Sequence, residues 1–266
     1  MPRFAAVVLA AGQSTRLKSK RSKVLHMLAG RPVVSYPIGA ARRAGAERIV
    51  VVRGPAQEDL RLYLKGEGVR DAVQKRAQGT ADAALSAKGA LSSFDGYVLI
   101  LCGDAPLIQP ETIRRFLSEM EKSKSTLGVV TMSLADPSGY GRMVRDLEGR
   151  VVKIVEHRDA SENERRICEV NSGVICAERA WLFKSLRGVG KDNAKGEFYL
   201  TDLVHLAVGQ GREVLGFMAG PSEDFLGINT RVELSEAQRI MRARINRGLQ
   251  LSGVGIDDGE STFVDA

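Results

Sequence analysis

Short apolar runs alternate with segments of helical periodicity through the first half of the chain. The apolar runs predict strands over residues 4–9, 49–53, 69–73 and 97–102. Apolar residues spaced three and four apart predict helices over residues 33–44, 58–64, 80–91 and 111–122. Unbroken apolar runs are typical of strands buried on both faces. The order of elements therefore predicts an α/β fold, with a mostly parallel sheet and helices on both of its faces.

From residue 126 onward the pattern changes to strands separated by glycine-rich turns. Strands are predicted over residues 127–134, 139–144, 151–155, 170–176 and 213–218. Helices are predicted over residues 180–186, 200–207 and 230–249, the last of them long, charged and amphipathic. Alternation of apolar and polar residues indicates an antiparallel extension packed on the first half. Such an extension could supply the pocket for a second substrate.

The same change of pattern predicts the domain organisation. Residues 1–228 form one domain, with one half at about 1–125 and the other at about 126–228. A helix over about 229–250 follows, and residues 251–266 are expected to be a linker.

Composition narrows the class of ligand. The chain has 266 residues, a net charge of +7, and 3 cysteines and 3 histidines without metal-site spacing, so neither a disulfide framework nor a zinc site is predicted. Aromatic residues do not alternate with basic ones, which argues against a nucleic-acid partner. No apolar run approaches the roughly 18 residues of a membrane span. We expect a cytoplasmic protein with no membrane partner, and phosphorylated small molecules are the leading anionic ligands.

The first strand runs into a turn of small residues, Leu9-Ala10-Ala11-Gly12, which is followed by cations that include Arg16 and Lys23. Ligands of open α/β sheets lie beyond the carboxyl ends of strands, where a turn with little side-chain bulk lets backbone N–H groups approach a phosphate. The turn matches neither the dinucleotide-binding glycine pattern nor the P-loop. A tight turn followed by a solvated basic stretch is the alternative, and the turn alone does not decide between the two.

Asp104 follows the buried strand 97–102 directly and is the first candidate ligand for a metal ion. Gly103 before it would let a ligand or metal come close. Magnesium prefers few protein oxygens, and Asn229 could supply a second. The alternative for Asp104 is a turn or a helix cap ahead of the Pro110 helix. The alternative for Asn229 is a cap of the last helix, and the local sequence favours that cap.

Polar residues at other strand ends could recognise the rest of a substrate. The amide of Gln74 suits the Watson–Crick edge of a pyrimidine, and Gly79 leaves room for a flat ring or a backbone contact. Thr80 could instead cap a helix. Glu156 and Asn171 carry groups that pair with sugar hydroxyls and an acetamido group, although either could simply satisfy neighbouring backbone.

In order along the chain, these motifs resemble the uridylyltransferase domain of the N-acetylglucosamine-1-phosphate uridylyltransferases, in the sugar-nucleotidyltransferase superfamily. The opening Leu9-Ala10-Ala11-Gly12 with Arg16 and Lys23 is shared across the superfamily. The narrower resemblance rests on the following series: Gln74, Gly79-Thr80-Ala81, Gly103-Asp104-Ala105-Pro106-Leu107, Gly139-Tyr140-Gly141-Arg142, Glu156, Glu169-Val170-Asn171-Ser172-Gly173, residues 196–202 and Asn229. It covers nearly the whole chain.

The resemblance implies a fold, a reaction and roles for residues. The fold would be Rossmann-like, of the nucleotide-diphospho-sugar transferase type, with an antiparallel sugar-binding extension. The reaction would be UTP plus N-acetylglucosamine 1-phosphate giving UDP-N-acetylglucosamine and pyrophosphate, by in-line attack with Mg²⁺, in cell-wall precursor synthesis. The implied roles are as follows: Leu9, Ala10, Ala11, Gly12, Gln74, Gly79 and Thr80 for the nucleotide; Gly141, Glu156 and Asn171 for the amino sugar; Asp104 and Asn229 for Mg²⁺; and Arg16 and Lys23 for the phosphates.

The chain departs from the family pattern at three positions, where the family usually has glycine, proline and tyrosine: Ser14, Ser22 and Cys102. Ser22 is expected to loosen the placement of Lys23. Cys102 is expected to be an inert thiol. The left-handed β-helix that acetylates glucosamine 1-phosphate in bifunctional members would begin where the chain stops, so that acetyltransferase site is not expected, and the oligomeric state is left open.

Three alternative functions remain open from the sequence, and a nucleic-acid-binding protein ranks third among them. A sister enzyme for another sugar 1-phosphate would share the first half and differ around Gly141, Glu156 and Asn171. A non-catalytic UDP-sugar-binding protein would keep binding but lose the metal ligands and cations, so the presence of Asp104, Arg16, Lys23 and Asn229 argues against it.

Overall fold

The computed structural model describes residues 1–12, 15–19 and 21–266. Ser14, which is expected to narrow the phosphate-binding turn, lies outside the described residues. The strands, in chain order, are β1 (Phe4–Leu9), β2 (Met27–Leu28), β3 (Arg31–Pro32), β4 (Arg48–Arg53), β5 (Arg70–Val73), β6 (Tyr97–Cys102), β7 (Leu127–Ser133), β8 (Arg142–Arg145), β9 (Val151–Val155), β10 (Glu169–Glu178) and β11 (Val214–Met218).

The α-helices are α1 (Ser35–Ala44), α2 (Glu58–Gly66), α3 (Thr80–Ser86), α4 (Pro110–Ser123), α5 (Glu162–Arg165), α6 (Arg179–Ser185), α7 (Asp202–Gly209) and α8 (Arg231–Leu251). Short 3₁₀ helices at Thr15–Leu17 and Lys23–Leu25 follow the turn after β1. None of the helices in the described part of the chain is both long and apolar enough to cross a bilayer.

One large sheet organises the molecule, with the strand order β11-β7-β10-β6-β1-β4-β5. Along this path β10 is antiparallel to both of its neighbours, and the other pairs are parallel. Strands β8 and β9 form an antiparallel pair that joins the sheet through β10. The predicted α/β fold is therefore confirmed, and the antiparallel extension is continuous with the main sheet because β10 pairs directly with β6.

Alternation along the strands builds a core on each face of the sheet. In β1, Ala5 and Val7 face the core covered by α3, α6 and α7, whereas Phe4, Ala6 and Val8 face the core covered by α1, α2 and α4. A smaller third core lies under α8, where Ile240 and Met241 pack with Leu107 and Ile228. Through this core α8 packs against Leu107, three residues after Asp104, and against Ile228, the residue before Asn229.

Most predicted elements match the structure to within a few residues, and two boundaries differ. The helix predicted over residues 80–91 is α3 followed by a separate 3₁₀ turn at Gly89–Leu91. The strand predicted over residues 139–144 begins only at Arg142. A glycine lies close to both breaks, with Gly89 three residues beyond the end of α3 and Gly141 directly before β8, and glycine is unfavourable in the interior of helices and strands.

Candidate functional site

The turn after β1 and the loop after β6 lie side by side at one edge of the sheet. Leu9 pairs with Cys102 in parallel register, so both strands end at the same level. The Gly103 N–H donates to the Leu9 carbonyl at 2.9 Å. A Cβ on Gly103 would lie 2.9 Å from that carbonyl oxygen, so glycine is needed there for the backbones to approach. The expected room for a ligand at Gly103 is instead filled by the end of β1.

Four side chains from distant segments meet beside this edge. The Lys23 ammonium donates to the Asp104 carboxylate, and it donates to Asn229 Oδ1 at 3.0 Å. Arg16 Nη2 donates to the same Asn229 oxygen at 2.9 Å. Lys23 and Asp104 are partly buried, with side chains 13% and 24% exposed, so their charges are less screened than those of surface groups.

Buried neighbours hold these side chains in place. The 3₁₀ turns that carry Arg16 and Lys23 are anchored by Leu17, Val24 and Leu25, all of which are buried. The Ile228 N–H donates to the Asp104 backbone carbonyl at 2.8 Å, which ties the segment before Asn229 to the loop after β6.

Neither candidate metal ligand is a helix cap, so the capping alternatives are wrong. Helix α4 has Gln109 at its N-cap, five residues beyond Asp104. Helix α8 has Thr230 at its N-cap, in a capping box with Glu233. Asn229 therefore precedes the cap, and its side chain is available to Lys23 and Arg16 because Thr230 does the capping.

A cavity of about 530 Å³, here called the first cavity, opens next to this cluster. It is lined by the whole expected nucleotide set together with Lys23 and Asp104: Leu9, Ala10, Ala11, Gly12, Gln74, Gly79 and Thr80. Cys102 and Glu197 also line it. A second cavity of about 730 Å³ adjoins it and shares four lining residues with it, namely Ala11, Gly12, Gln74 and Ala77.

The structure refines what Gln74, Gly79 and Thr80 can do. Gln74 Nε2 donates to the Gly79 carbonyl at 3.0 Å and to Asp82 at 2.9 Å, so its amide oxygen is the group left for a ligand. Gly79 has φ +117°, and a Cβ there would lie 2.4 Å from the Phe198 carbonyl oxygen, so it serves a backbone contact. The Thr80 hydroxyl accepts from the Leu200 N–H at 2.9 Å, and the N-cap of α3 is Gly79 rather than Thr80.

The expected sugar-binding residues form a second cluster, outside the lining of the first cavity. The Asn171 N–H donates to the Gly141 carbonyl at 2.8 Å. Asn171 Oδ1 accepts from the Gly173 N–H at 2.9 Å, which leaves the Asn171 NH₂ group to donate. Glu156 accepts from the Thr201 hydroxyl at 3.0 Å. A register shift in β10 between Asn171 and Ile175 interrupts the pairing with β7 beside this cluster.

The segment from Phe198 to Thr201 touches both clusters. The Phe198 carbonyl accepts from the Ala81 N–H at 2.9 Å, beside Gly79. The Leu200 N–H donates to Thr80 on the expected nucleotide side, and the Thr201 hydroxyl donates to Glu156 on the expected sugar side. The two expected halves of the site are thereby joined by four consecutive residues.

Two of the three positions that depart from the family pattern, Cys102 and Ser22, lie within the described residues. Burial raises the pKa of the Cys102 thiol to about 12, and the thiol contacts the Gly173 carbonyl at 3.7 Å. A thiol with so high a pKa is a poor nucleophile, in agreement with the expected inert role.

Ser22 is buried, and its N–H donates to Asp59 Oδ2 at 3.1 Å. The expected loosening near Lys23 is thus opposed by a hydrogen bond that proline could not make.

The donor set fits a magnesium ion. Asp104 and Asn229 offer one carboxylate and one amide oxygen, both already directed at the same cationic group, Lys23 Nζ. Magnesium is commonly held by one or two carboxylates, with waters and substrate phosphates completing its shell. Within residues 1–12, 15–19 and 21–266 no group of three or more His, Cys, Asp or Glu side chains is placed to hold a metal ion.

Two residues near the site have no assignment from the sequence. Glu197 lines the first cavity and belongs to residues 196–202, a motif of the resemblance to which no role was given. Gln57 lines the second cavity, and it contacts both the turn after β1 and the segment before Lys23. The sequence around Gln57, a polar residue ahead of a helix, does not indicate that its side chain bonds Ser22 and Ala10, which lie 35 and 47 residues earlier.

Comparison with known proteins gives a consistent set of relatives. Residues 6–169 match the MobA-like NTP transferase domain. The chain is 46% identical over 263 residues to a protein of Geobacter metallireducens, with 98% of this chain and 55% of that protein covered. It is 44% identical over its full length to a protein of Pelobacter propionicus, covering 58% of it, and 41% identical to one of Halalkalibacterium halodurans, covering 57%. Each of the three is named "Bifunctional protein GlmU", and this chain spans somewhat more than half of their length.

Proposed function

The chain belongs to the nucleotidyltransferase family of the MobA-like NTP transferase domain, and from that premise we propose that it transfers a uridylyl group from UTP to N-acetylglucosamine 1-phosphate. The products are UDP-N-acetylglucosamine and pyrophosphate. The observation that carries the proposal is the meeting of Arg16, Lys23, Asp104 and Asn229 beside the first cavity.

The reaction is a displacement at phosphorus that needs alignment more than acid–base chemistry. A phosphate oxygen of the sugar phosphate bonds to the α-phosphorus of UTP, and the bond from that phosphorus to the bridging oxygen of pyrophosphate breaks. Because the attacking oxygen is already anionic, no general base is required. Lys23 and Arg16 neutralise negative charge on the phosphates and hold the reacting groups in line.

Asp104 and Asn229 would hold Mg²⁺ through their side-chain oxygens. When bound, Mg²⁺ supplies neutralisation and orientation of the substrate phosphates. Lys23 contacts both residues, so it orders their side chains even before a substrate arrives.

Gln74 supports uracil as the base. Since both of its amide N–H groups are used within the protein, its carbonyl oxygen faces a ligand as an acceptor. Ring nitrogen N3 carries a hydrogen in uracil and a lone pair in cytosine, so an acceptor placed opposite N3 favours UTP over CTP.

Asn171 and Glu156 support an N-acylated amino sugar. The free NH₂ group of Asn171 can donate to an amide carbonyl or a hydroxyl oxygen, and the Glu156 carboxylate can accept from sugar hydroxyls. The pairing of a donor with an acceptor suits a sugar that carries both an acetamido group and hydroxyls.

Pyrophosphate release tests the proposal. UTP or CTP is combined with each of several sugar 1-phosphates, with Mg²⁺ or with excess chelator. The expected result is rapid release with UTP and N-acetylglucosamine 1-phosphate, and loss of release with chelator. Faster turnover of a sugar phosphate without the acetamido group would contradict the proposed sugar, and UDP-sugar binding without any turnover would contradict catalysis.

A further inference from the structure

We propose that Gln57 is a positioning residue for nucleotidyl transfer, whose side-chain amide fixes the turn at Gly12 and the segment carrying Lys23 relative to each other. The inference deepens the proposed function and rests on it for the effect on catalysis. Gln57 lies in the loop between β4 and α2 and is not a ligand of any expected substrate group.

The three hydrogen bonds of the Gln57 amide reach three separate points. Its Oε1 accepts from the Gly54 N–H at 2.6 Å, which closes the local turn. Its Nε2 donates to the Ala10 carbonyl at 3.0 Å and to the Ser22 hydroxyl at 3.0 Å. The oxygen therefore has a local folding role, whereas the nitrogen joins two other segments.

Those two segments are the ones that bear the expected phosphate contacts. Ala10 lies within the turn that ends at Gly12, and Ser22 immediately precedes Lys23. The Ser22 N–H is held in addition by Asp59 Oδ2 at 3.1 Å, and Asp59 lies two residues beyond Gln57. The start of α2 thus fixes Ser22 through both its backbone and its side chain.

The position of these bonds makes them relevant to catalysis. Gln57 lines the second cavity, which shares Gly12 with the first, so the amide lies beside the expected path of the triphosphate. A misplacement of about 1 Å in a reacting group can reduce the rate by about a hundredfold. Loss of the Nε2 bonds would allow such a movement of Lys23 relative to Gly12.

Two substitutions separate the local role from the positioning role. Gln57→Glu keeps an oxygen for the Gly54 N–H but removes the donor to the Ala10 carbonyl, and Gln57→Met removes all three bonds at similar side-chain length. Gln238→Met is the matched control. Gln238 lies on α8, and its Oε1 accepts a hydrogen bond from the Ala29 N–H at 3.1 Å, which the substitution removes.

We expect both Gln57 variants to lower kcat by about ten- to a hundredfold, with KM for the sugar phosphate changed less than twofold. Gln57→Glu should fall in this range although its Gly54 turn is intact. The Gln238→Met control should match wild-type kcat, and the thermal midpoints of the three variants should be similar. Wild-type kcat in Gln57→Glu and Gln57→Met would overturn the inference.

Amide hydrogen exchange without substrate provides a readout that does not depend on the reaction. The backbone amide of Ser22 should exchange at least about tenfold faster in Gln57→Met than in wild type and in Gln238→Met, since a neighbouring anchor has been lost. Unchanged exchange would overturn the inference. If wild-type protein transfers no nucleotide while exchange accelerates as expected, the proposed function fails, and what stands is that Gln57 holds the turn at Gly12 and the segment carrying Lys23 together.

Discussion

At the scale of single residues, Asp104 has the largest expected effect on catalysis. Its carboxylate contacts Lys23, and it is one of the two oxygens that would hold Mg²⁺. Asp104→Ala should lower turnover by at least about a hundredfold, because one preorganised charged group is worth about 3 kcal/mol or more of barrier. Pyrophosphate release at saturating Mg²⁺ measures the loss.

Asp95→Ala is the matched control for Asp104→Ala. Asp95 is exposed and lies just before β6, at the end of the strand opposite to Asp104. The circular dichroism of both variants should match wild type, and Asp95→Ala should keep full turnover. Wild-type turnover in Asp104→Ala would show that the proposed metal ligand is wrong.

Asn171 allows sugar recognition to be tested separately from nucleotide binding. Asn171→Asp keeps the oxygen that accepts from the Gly173 N–H but replaces the free NH₂ group by an acceptor. We expect KM for N-acetylglucosamine 1-phosphate to rise by about tenfold or more, since a donor facing a sugar oxygen is lost. KM for UTP should stay within about twofold, and an equal rise in both values would contradict the assignment.

The sequence indicated which residues lie near one another at the candidate site better than it indicated the hydrogen-bond partners of each residue. The small side chains from Leu9 to Gly12 and the carboxylate of Asp104 lie at strand ends, as predicted, because continuous apolar runs mark the limits of β1 and β6. The cap that the sequence analysis favoured at Asn229 was wrong, although the sequence carries the signal that corrects it, because Thr230 followed three residues later by Glu233 is the capping-box pattern. Lys23, the partner of Asn229, is more than two hundred residues away.

At the scale of elements, two capping boxes provide a matched pair. Thr230 and Glu233 cap α8, and Ser161 and Glu164 cap α5. In α8, Glu233 Oε2 also accepts from the Asn229 N–H at 2.8 Å, so the cap at the start of this helix holds a candidate metal ligand.

Thr230→Ala and Ser161→Ala should both destabilise the protein, by about 1 kcal/mol each, since each removes an N-cap. Thr230→Ala alone should raise the Mg²⁺ concentration needed for half-maximal turnover, by severalfold. Urea unfolding measures the first effect and a Mg²⁺ titration measures the second. Equal Mg²⁺ dependence in the two variants would show that the cap of α8 does not position Asn229.

The ends of helices and strands were predictable where an apolar or alternating pattern continued over the whole element. They were missed where a local backbone conformation ends or interrupts the element. Strands β1, β6 and β9 have the predicted limits because each is a continuous apolar or alternating run. The register shift in β10 depends on Gly173, which has φ +86°. A glycine inside a strand is compatible with a bulge, but sequence alone does not show which neighbouring side chain the bulge displaces.

At the scale of the whole molecule, buried proton-binding groups predict how stability depends on pH. Burial raises the pKa of Cys102, Tyr36 and Tyr199 to about 12 in each case, and it raises that of Cys176 as well. In each case the folded state holds the proton more tightly than the unfolded chain does. Their contribution to stability is therefore complete below about pH 9 and is lost as the pH rises towards 12.

We expect the free energy of unfolding to fall steeply above about pH 9.5, and Cys102→Ala to make the fall shallower. For one cysteine the loss between pH 8 and pH 10.5 is about 2 kcal/mol. Urea unfolding at several pH values measures both slopes. The same slope in Cys102→Ala and wild type would contradict the assignment of the loss to this thiol.

The overall architecture followed from the chain because local and global preferences agree in most elements. Apolar runs, helical periodicity and the position of glycines all predicted an α/β sheet with its site at the strand ends. The joining of the extension to the sheet through β10 was not predictable, because strand order depends on long-range pairing.

The short stretch from Phe198 to Thr201 has a consequence for how such an enzyme could change its specificity. It spans from Gly79 and Thr80 on one side to Glu156 on the other, and its backbone lies against Gly79 with no space for a side chain. Substitutions at Glu156 or Asn171 could change which sugar phosphate binds and leave the proposed UTP site unchanged. An inserted residue in this stretch would break its contacts with one of the two clusters. Specificity could therefore change by replacement of side chains but not by a change in the length of this stretch.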